Sequence, residues 1–140
     1  MTVTADHIRE TLDDYLDVHP RDKKGRLVDL LELLDASAAL TSRKEFRGHV
    51  TAGALLADPA GRVLHVRHVA LNRWLLPGGH LEADDISLLA AAQRELSEET
   101  GIPAAVVIPA GHRPDWGRGS VPNLRYSGRN KLTAYASGEP

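Results

Sequence analysis

Leu76-Pro77-Gly78-Gly79-His80-Leu81-Glu82, followed further on by Arg94-Glu95-Leu96-Ser97-Glu98-Glu99-Thr100-Gly101, is the stretch whose reading decides the fold. It reads as a glycine turn, a short acidic loop and the last turns of a helix. At helical spacing Glu95, Glu98 and Glu99 stand at i, i+3 and i+4, so three carboxylates leave neighbouring points of one face. Like charges at that spacing repel, by a few tenths of a kcal/mol per pair. A divalent cation would turn that repulsion into a binding site.

The spacing predicts that the helix begins near Asp85 or Ser87, either of which can accept from the free N–H groups of a first turn. Its buried stripe is expected to be Leu88, Leu89, Ala92 and Leu96. Gly101 in a left-handed conformation ends it, and Pro103 prevents continuation. On a wheel of about 100° per residue, Glu99 falls in the apolar sector, Glu95 at its edge and Glu98 farther round. Acids that merely solvate a helix would lie opposite that sector, so this placement favours a site.

Upstream, Val50, Ala52, Ala54 and Leu56 alternate with Thr51, Gly53 and Leu55, as in a strand with one or both faces covered. Asp58-Pro59-Ala60-Gly61 reads as a turn, and Arg62 to His68 as a strand returning beside the first to form a hairpin. Ala70-Leu71-Asn72 is a loop, and Arg73 to Leu76 a short strand entering the glycine turn. His65 and His68, three apart on a strand, point to opposite faces and read as partly exposed strand residues rather than ligands. Trp74 is either a core residue or a platform for a stacked base.

Nearer the start, residues 4–18 form an amphipathic pattern capped by Thr4 or Asp6, with Ile8, Leu12, Tyr15 and Leu16 on one stripe. A second helix is expected over about 23–40, with Leu27, Leu30, Leu31, Leu34 and Ala38 apolar and Lys24 on the other side. The two make a hairpin that packs on the main domain or on a second copy of the chain, which would make a homodimer.

With 140 residues and 15.2 kDa the chain fits one domain. A net charge of −2 gives no general attraction to nucleic acid or anionic membranes. The absence of cysteine excludes disulfides, thiolate catalysis and sulfur-ligated zinc. No signal-like run opens the sequence, no 18-residue apolar segment occurs in it, and no internal repeat is visible, so the expectation is a soluble, cytoplasmic protein.

The motif resembles the signature of the Nudix hydrolase family. That signature runs Gly, five residues, Glu, seven residues, Arg-Glu, an aliphatic residue, any residue, Glu-Glu, any residue, Gly and an aliphatic residue. Arg94 to Ile102 match every fixed position of its second half, and Gly79 supplies the first glycine. There are two departures. Asp85 stands where the pattern has Glu, and eight residues rather than seven separate it from Arg94. Whether Asp85, Glu82 or Asp84 takes the part of the family's first Glu is therefore open.

The resemblance implies an α/β (or α+β) fold, an α/β/α sandwich around a mixed sheet. It further implies hydrolysis of a nucleoside diphosphate linked to another moiety, by metal-activated water attack on phosphorus, with Mg²⁺ or Mn²⁺ as cofactor. Carried over residue by residue, Glu95, Glu98, Glu99 and the Gly79 carbonyl would hold metal. Arg94, Glu95 and Glu98 would be the catalytic group, with Arg94 orienting Glu98 through an ion pair. Gly78, Gly79 and Trp74 would meet a nucleotide-type substrate. The alternative is a nucleotide-binding module of the same fold without efficient catalysis.

The expected organisation is an N-terminal helical extension over 1–45, a core over 46–108 containing the motif at 79–102, and an irregular basic segment over 109–140. Ala105 to Ile108 reads as a strand. From Pro109 onward no sustained period appears, and Ser137-Gly138-Glu139-Pro140 reads as loop. Leu124 to Tyr126 and Leu132 to Tyr135 are candidate short strands. Arg113, Arg118, Arg125, Arg129 and Lys131 with Trp116, Tyr126 and Tyr135 suit a phosphate-bearing base, and equally a soluble, unstructured tail. The segment 109–140 either completes the domain or leaves its C-terminal part incomplete for the family, in which case the sheet would be short of a strand.

Overall fold

The computed structural model describes residues 2–21, 25, 27–58, 60, 62–107, 125–127 and 131–138. Helix α1 spans Ala5–Val18. The Thr4 hydroxyl accepts from the His7 N–H at 3.3 Å, and the Thr4 N–H donates to His7 Nδ1 at 3.3 Å. This is a capping box in which histidine takes the usual place of glutamate.

Helix α2 spans only Val28–Asp35, shorter than the period predicts. Leu27 precedes it without a capping side chain, and Ser37 turns the chain at φ 53°. Leu27 and Ala38 are buried outside the helix. The apolar spacing therefore recorded burial correctly and helix length wrongly. Lys24 lies outside the described residues.

Strand β1 (His49–Leu56) is the strand on which the sheet is built. Its residues from Val50 to Ala54 are all buried, as the covered-strand reading requires. Strands β2 (Val66–His68) and β3 (Arg73–Leu75) form a separate antiparallel ribbon, pairing Val66 with Leu75 and Arg67 with Trp74. Strand β4 (Gly78–His80) runs antiparallel to β1, with Ala52 opposite Gly79 and Gly53 opposite Gly78.

The hairpin expected between β1 and Arg62–His68 is corrected here. The two segments share a single bridge, Ala57 to Val63, beyond the end of β1. Both edges of β1 are already taken, so the returning chain finds its partner in β3 instead. The turn itself is closed by the Asp58 carboxylate, which accepts from the N–H groups of Ala60 (3.0 Å) and Arg62 (2.9 Å). Pro59 and Gly61 lie outside the described residues.

The far end of the chain supplies the second correction. Strand β6 (Lys131–Gly138) lies parallel to β1 over its whole length, from His49 opposite Lys131 to Leu56 opposite Gly138. Strand β5 (Arg125–Ser127) pairs antiparallel with β6, giving a mixed sheet in the order β4-β1-β6-β5. Ser137 and Gly138, read as loop, are strand residues, and the place beside β1 is filled. The other tail residues singled out in the sequence, Arg113, Trp116, Arg118, Arg129 and Glu139, lie outside the described residues.

Helix α3 spans Leu88–Thr100. Of the two predicted caps, Ser87 is the one used: its hydroxyl accepts from the Ala90 N–H at 3.0 Å. Gly101 ends the helix at φ 73°. The strand expected at Ala105–Ile108 is instead a 3₁₀ turn over Ala104–Val106, closed by the Val106 N–H on the Pro103 carbonyl. Pro103 caps that turn directly after the helix end, and Ile108 lies outside the described residues.

One apolar cluster joins Val3, Ile8, Leu12, Tyr15 and Leu16 to Leu27, Leu30, Leu34, Leu40 and Val50 of β1, with Leu81 and Leu88 against it. The helical hairpin thus packs on its own domain. A smaller cluster, Ala52 with Ala91 and Ala92, seats α3 on β1. Leu12 is fully buried, so Leu12→Ala should lower stability by about 2–5 kcal/mol. Because the cluster is continuous with β1, urea denaturation of this variant should show one cooperative transition. Separate melting of the helices at low urea would contradict the shared core.

Candidate functional site

The site is where α3, β4 and the loop between them meet. Glu95 is carried on the buried side of α3 with Ala91, Ala92 and Leu96. This differs from the predicted stripe, since Leu89 is 42% exposed and Ala91 takes its place. Glu99, expected in the apolar sector, is exposed. The turn beside it is glycine, which has no side chain to cover it, and its carboxylate accepts from the Gly78 N–H at 3.0 Å.

Close approach of backbone requires glycine at 78, while Gly79 is approached by the end of a side chain. A Cβ at Gly79 would lie 2.5 Å from a Glu95 carboxylate oxygen, and one at Gly78 would lie 2.7 Å from the Ala52 carbonyl oxygen. Gly79 therefore forms a cradle that a side chain would fill, with the Glu95 carboxylate resting in it.

Arg94 organises the acids. Its Nε donates to Asp85 Oδ1 (3.0 Å) and its Nη2 to Asp85 Oδ2 (2.9 Å), a two-pronged pair. Nη2 also donates to the His80 carbonyl (3.0 Å), while Nη1 donates to Glu95 Oε1 (3.0 Å) and Glu98 Oε2 (3.1 Å). The expected Arg94–Glu98 pair is therefore present, as one of several. Asp85 is the acid that anchors Arg94, and its shorter side chain is buried. Glu82 lies at 3.8 Å from Nη1 and is largely exposed, and Asp84 is exposed. The sequence left the choice among these three open because only the fold shows which carboxylate faces inward.

Burial alone would raise the Asp85 pKa, but the Arg94 hydrogen bonds and the Glu82 N–H outweigh it and hold the carboxyl below its ordinary value. Glu95 moves the other way. Its burial raises it, the Arg94 contact offsets part of this, and the charges of Glu98 and Glu99 add to the rise. One guanidinium thus faces four carboxylates, those of Glu82, Asp85, Glu95 and Glu98. A surplus of negative charge concentrated beside a glycine backbone suits a hard divalent cation, which prefers carboxylate and carbonyl oxygens.

Among the described residues no three histidine or acidic side chains converge on one point. Arg94 holds Glu95 and Glu98, and Gly78 holds Glu99. The Glu98 side chain is 56% exposed and has room to turn. In the chemistry of their oxygens the residues fit a divalent metal, and gathering them on one ion requires the Glu98 and Glu99 side chains to turn from their present partners.

Trp74 is not in this cluster. It stands on the β2–β3 ribbon, 67% exposed, opposite Arg67, so the core reading of Trp74 is corrected. His65 and His68 are both exposed, and their Nδ1 atoms lie at the Val63 carbonyl and the Leu71 N–H respectively, not together on a metal. Sequence reasoning missed the His80 carbonyl as an Arg94 acceptor, for which a backbone atom gives no side-chain signal.

Residues 47–136 match the NUDIX domain family. The chain belongs to that family. It is also 46% identical over 61 residues to phosphatase NudJ of Escherichia coli strain K12, of Escherichia coli O157:H7 and of Shigella flexneri. That match covers 42% of this chain and 39% of each relative's length. Among the described residues no helix is long and apolar enough to cross a membrane.

Two outcomes follow from the geometry. Gly78→Ala drives a Cβ into backbone and should cost about 1–3 kcal/mol in thermal unfolding, whereas Gly79→Ala meets only the end of the Glu95 side chain and should cost less. Asp85, its folded-state pKa held below 3.8, contributes stability that is fully present above that value and lost as pH falls through the lowered one. Urea denaturation against pH should therefore show wild type and Asp85→Asn far apart at neutrality and converging below about pH 4.

Proposed function

We propose that the chain is a Mg²⁺- or Mn²⁺-dependent pyrophosphohydrolase acting on a nucleoside diphosphate linked to another moiety. The observation that carries this is the Glu95 carboxylate in the Gly79 cradle, flanked by Glu98 and Glu99, with one Arg94 against an excess of acids. Glu95, Glu98, Glu99 and the Gly79 carbonyl would hold the metal. A bound divalent ion supplies charge neutralisation on the diphosphate and activation of the attacking water.

The remaining work falls to the chain. Arg94 fixes the directions of Glu95 and Glu98. Glu98, the more exposed of these two, would take a proton from the attacking water. Gly78 and Gly79 let phosphate oxygens approach the backbone. Trp74, exposed three residues before the turn's proline, offers a ring face to a base.

The test is a panel of nucleoside triphosphates, dinucleotides and nucleotide sugars, incubated with either metal and analysed for released nucleoside monophosphate. Glu98→Gln should lower the rate by about 10²-fold or more while the protein stays folded. No product from any substrate would reject the proposal.

A second reading, a nucleotide-binding module without efficient catalysis, is favoured by one observation. Arg94 Nη1 bonds both Glu95 and Glu98, occupying oxygens that a metal needs. Calorimetry with metal and nucleotide separates the two readings: binding without turnover supports the module, and steady product formation supports the hydrolase.

A further inference from the structure

The site loop is tied to a part of the chain that the motif does not include. The Val3 N–H donates to the backbone carbonyl of Asp85 at 3.0 Å. Val3 is itself buried, at 7% exposure, in the cluster built by α1, α2 and Val50. Thr4, the next residue, caps α1, so the donor sits at the anchored start of a helix.

Within the loop, the Asp85 N–H donates to the Glu82 carbonyl (3.1 Å) and the Glu82 N–H to Asp85 Oδ2 (2.7 Å). These bonds close the loop on itself without fixing it to the domain. Its backbone is fixed at Asp85 by Val3, and the same residue's side chain fixes Arg94. Leu81 and Leu88, on either side of the loop, pack on the cluster that holds Val3.

We propose that Val3 is a positioning residue for the site. Its backbone N–H, placed at the capped start of α1, holds Asp85 so that Asp85 keeps Arg94 against Glu95 and Glu98. The N-terminal helices thereby become part of the site's support. The purpose of this support rests on the proposed hydrolase reading; the contact chain itself does not.

The test reads Arg94 directly, by NMR hydrogen exchange of its Nε–H in the full chain without metal or substrate. Val3→Pro removes the donor; Val3→Ala keeps it and removes only apolar packing. Loss of one such hydrogen bond should speed Arg94 Nε–H exchange about tenfold in Val3→Pro. In Val3→Ala the rate should stay within about twofold of wild type, even with lower global stability.

A folded Val3→Pro with wild-type exchange, or a Val3→Ala as fast as Val3→Pro, would overturn the proposal. Should Val3→Pro not fold, the wild type decides. The Val3 amide and the Arg94 Nε–H should then share one opening reaction, with the same dependence on denaturant. A Val3 amide exchanging at the unfolded-chain rate beside a protected Arg94 overturns it. Absence of turnover with every substrate would remove the hydrolase reading and leave these rates unaffected.

Discussion

The Arg94 guanidinium is the group on which the arrangement depends. It carries five N–H donors in a rigid plane, and each has a partner: two on Asp85, one on His80, one on Glu95 and one on Glu98. Its acceptors belong to the end of β4, the loop after it and two positions of α3. One side chain therefore fixes the relative placement of three segments. Lysine could not replace it, because a point charge has neither the fork nor the number of donors.

The same network leaves a charge imbalance. Four carboxylates share one guanidinium, and Glu95 is held where burial disfavours its charge. A helix selected only for stability would not carry acids at i, i+3 and i+4 beside another acid in a loop. Glycine at 79 removes a side chain that would otherwise press on the Glu95 carboxylate, and glycine at 78 lets the turn lie against the β1 backbone. The two features suit the proposed hydrolase together: the acids would attract a cation, and the bare backbone would let phosphate come close.

Local signals were legible where they acted locally. Thr4, Ser87 and Gly101 mark helix ends by hydrogen bonds within a few residues, and each does so in the structure. Glu95, Glu98 and Glu99 are visible through helical spacing, and Arg94 through the resemblance to the family signature. What the sequence hid were partnerships between distant segments. β6 joins β1 in parallel from the far end of the chain, and its small residues and final Ser137-Gly138 resemble a loop until β1 is beside them. The partner of β2 was misjudged because the edges of β1 were claimed by strands not adjacent to it in the sequence. The inward turn of Asp85 rather than Glu82 or Asp84 was hidden likewise, since three acids within four residues differ only in what the fold places opposite them.

Asp85 and the spacing that follows it are the two departures from the family pattern, and Asp85 is the acid paired with Arg94. Aspartate is one methylene shorter than glutamate, so its backbone must come nearer to Arg94 to make the same two-pronged contact. One additional residue between Asp85 and Arg94 would give slack for such an approach. Slack alone would leave the loop loose, and a carboxylate in a loose loop would be a poor anchor for an arginine holding two other acids. The loop is not loose: it turns back on itself through Glu82 and is held from outside by Val3. The shorter acid, the longer loop and the buried start of α1 are consistent parts of one solution, and altering any one of them alone should loosen Arg94.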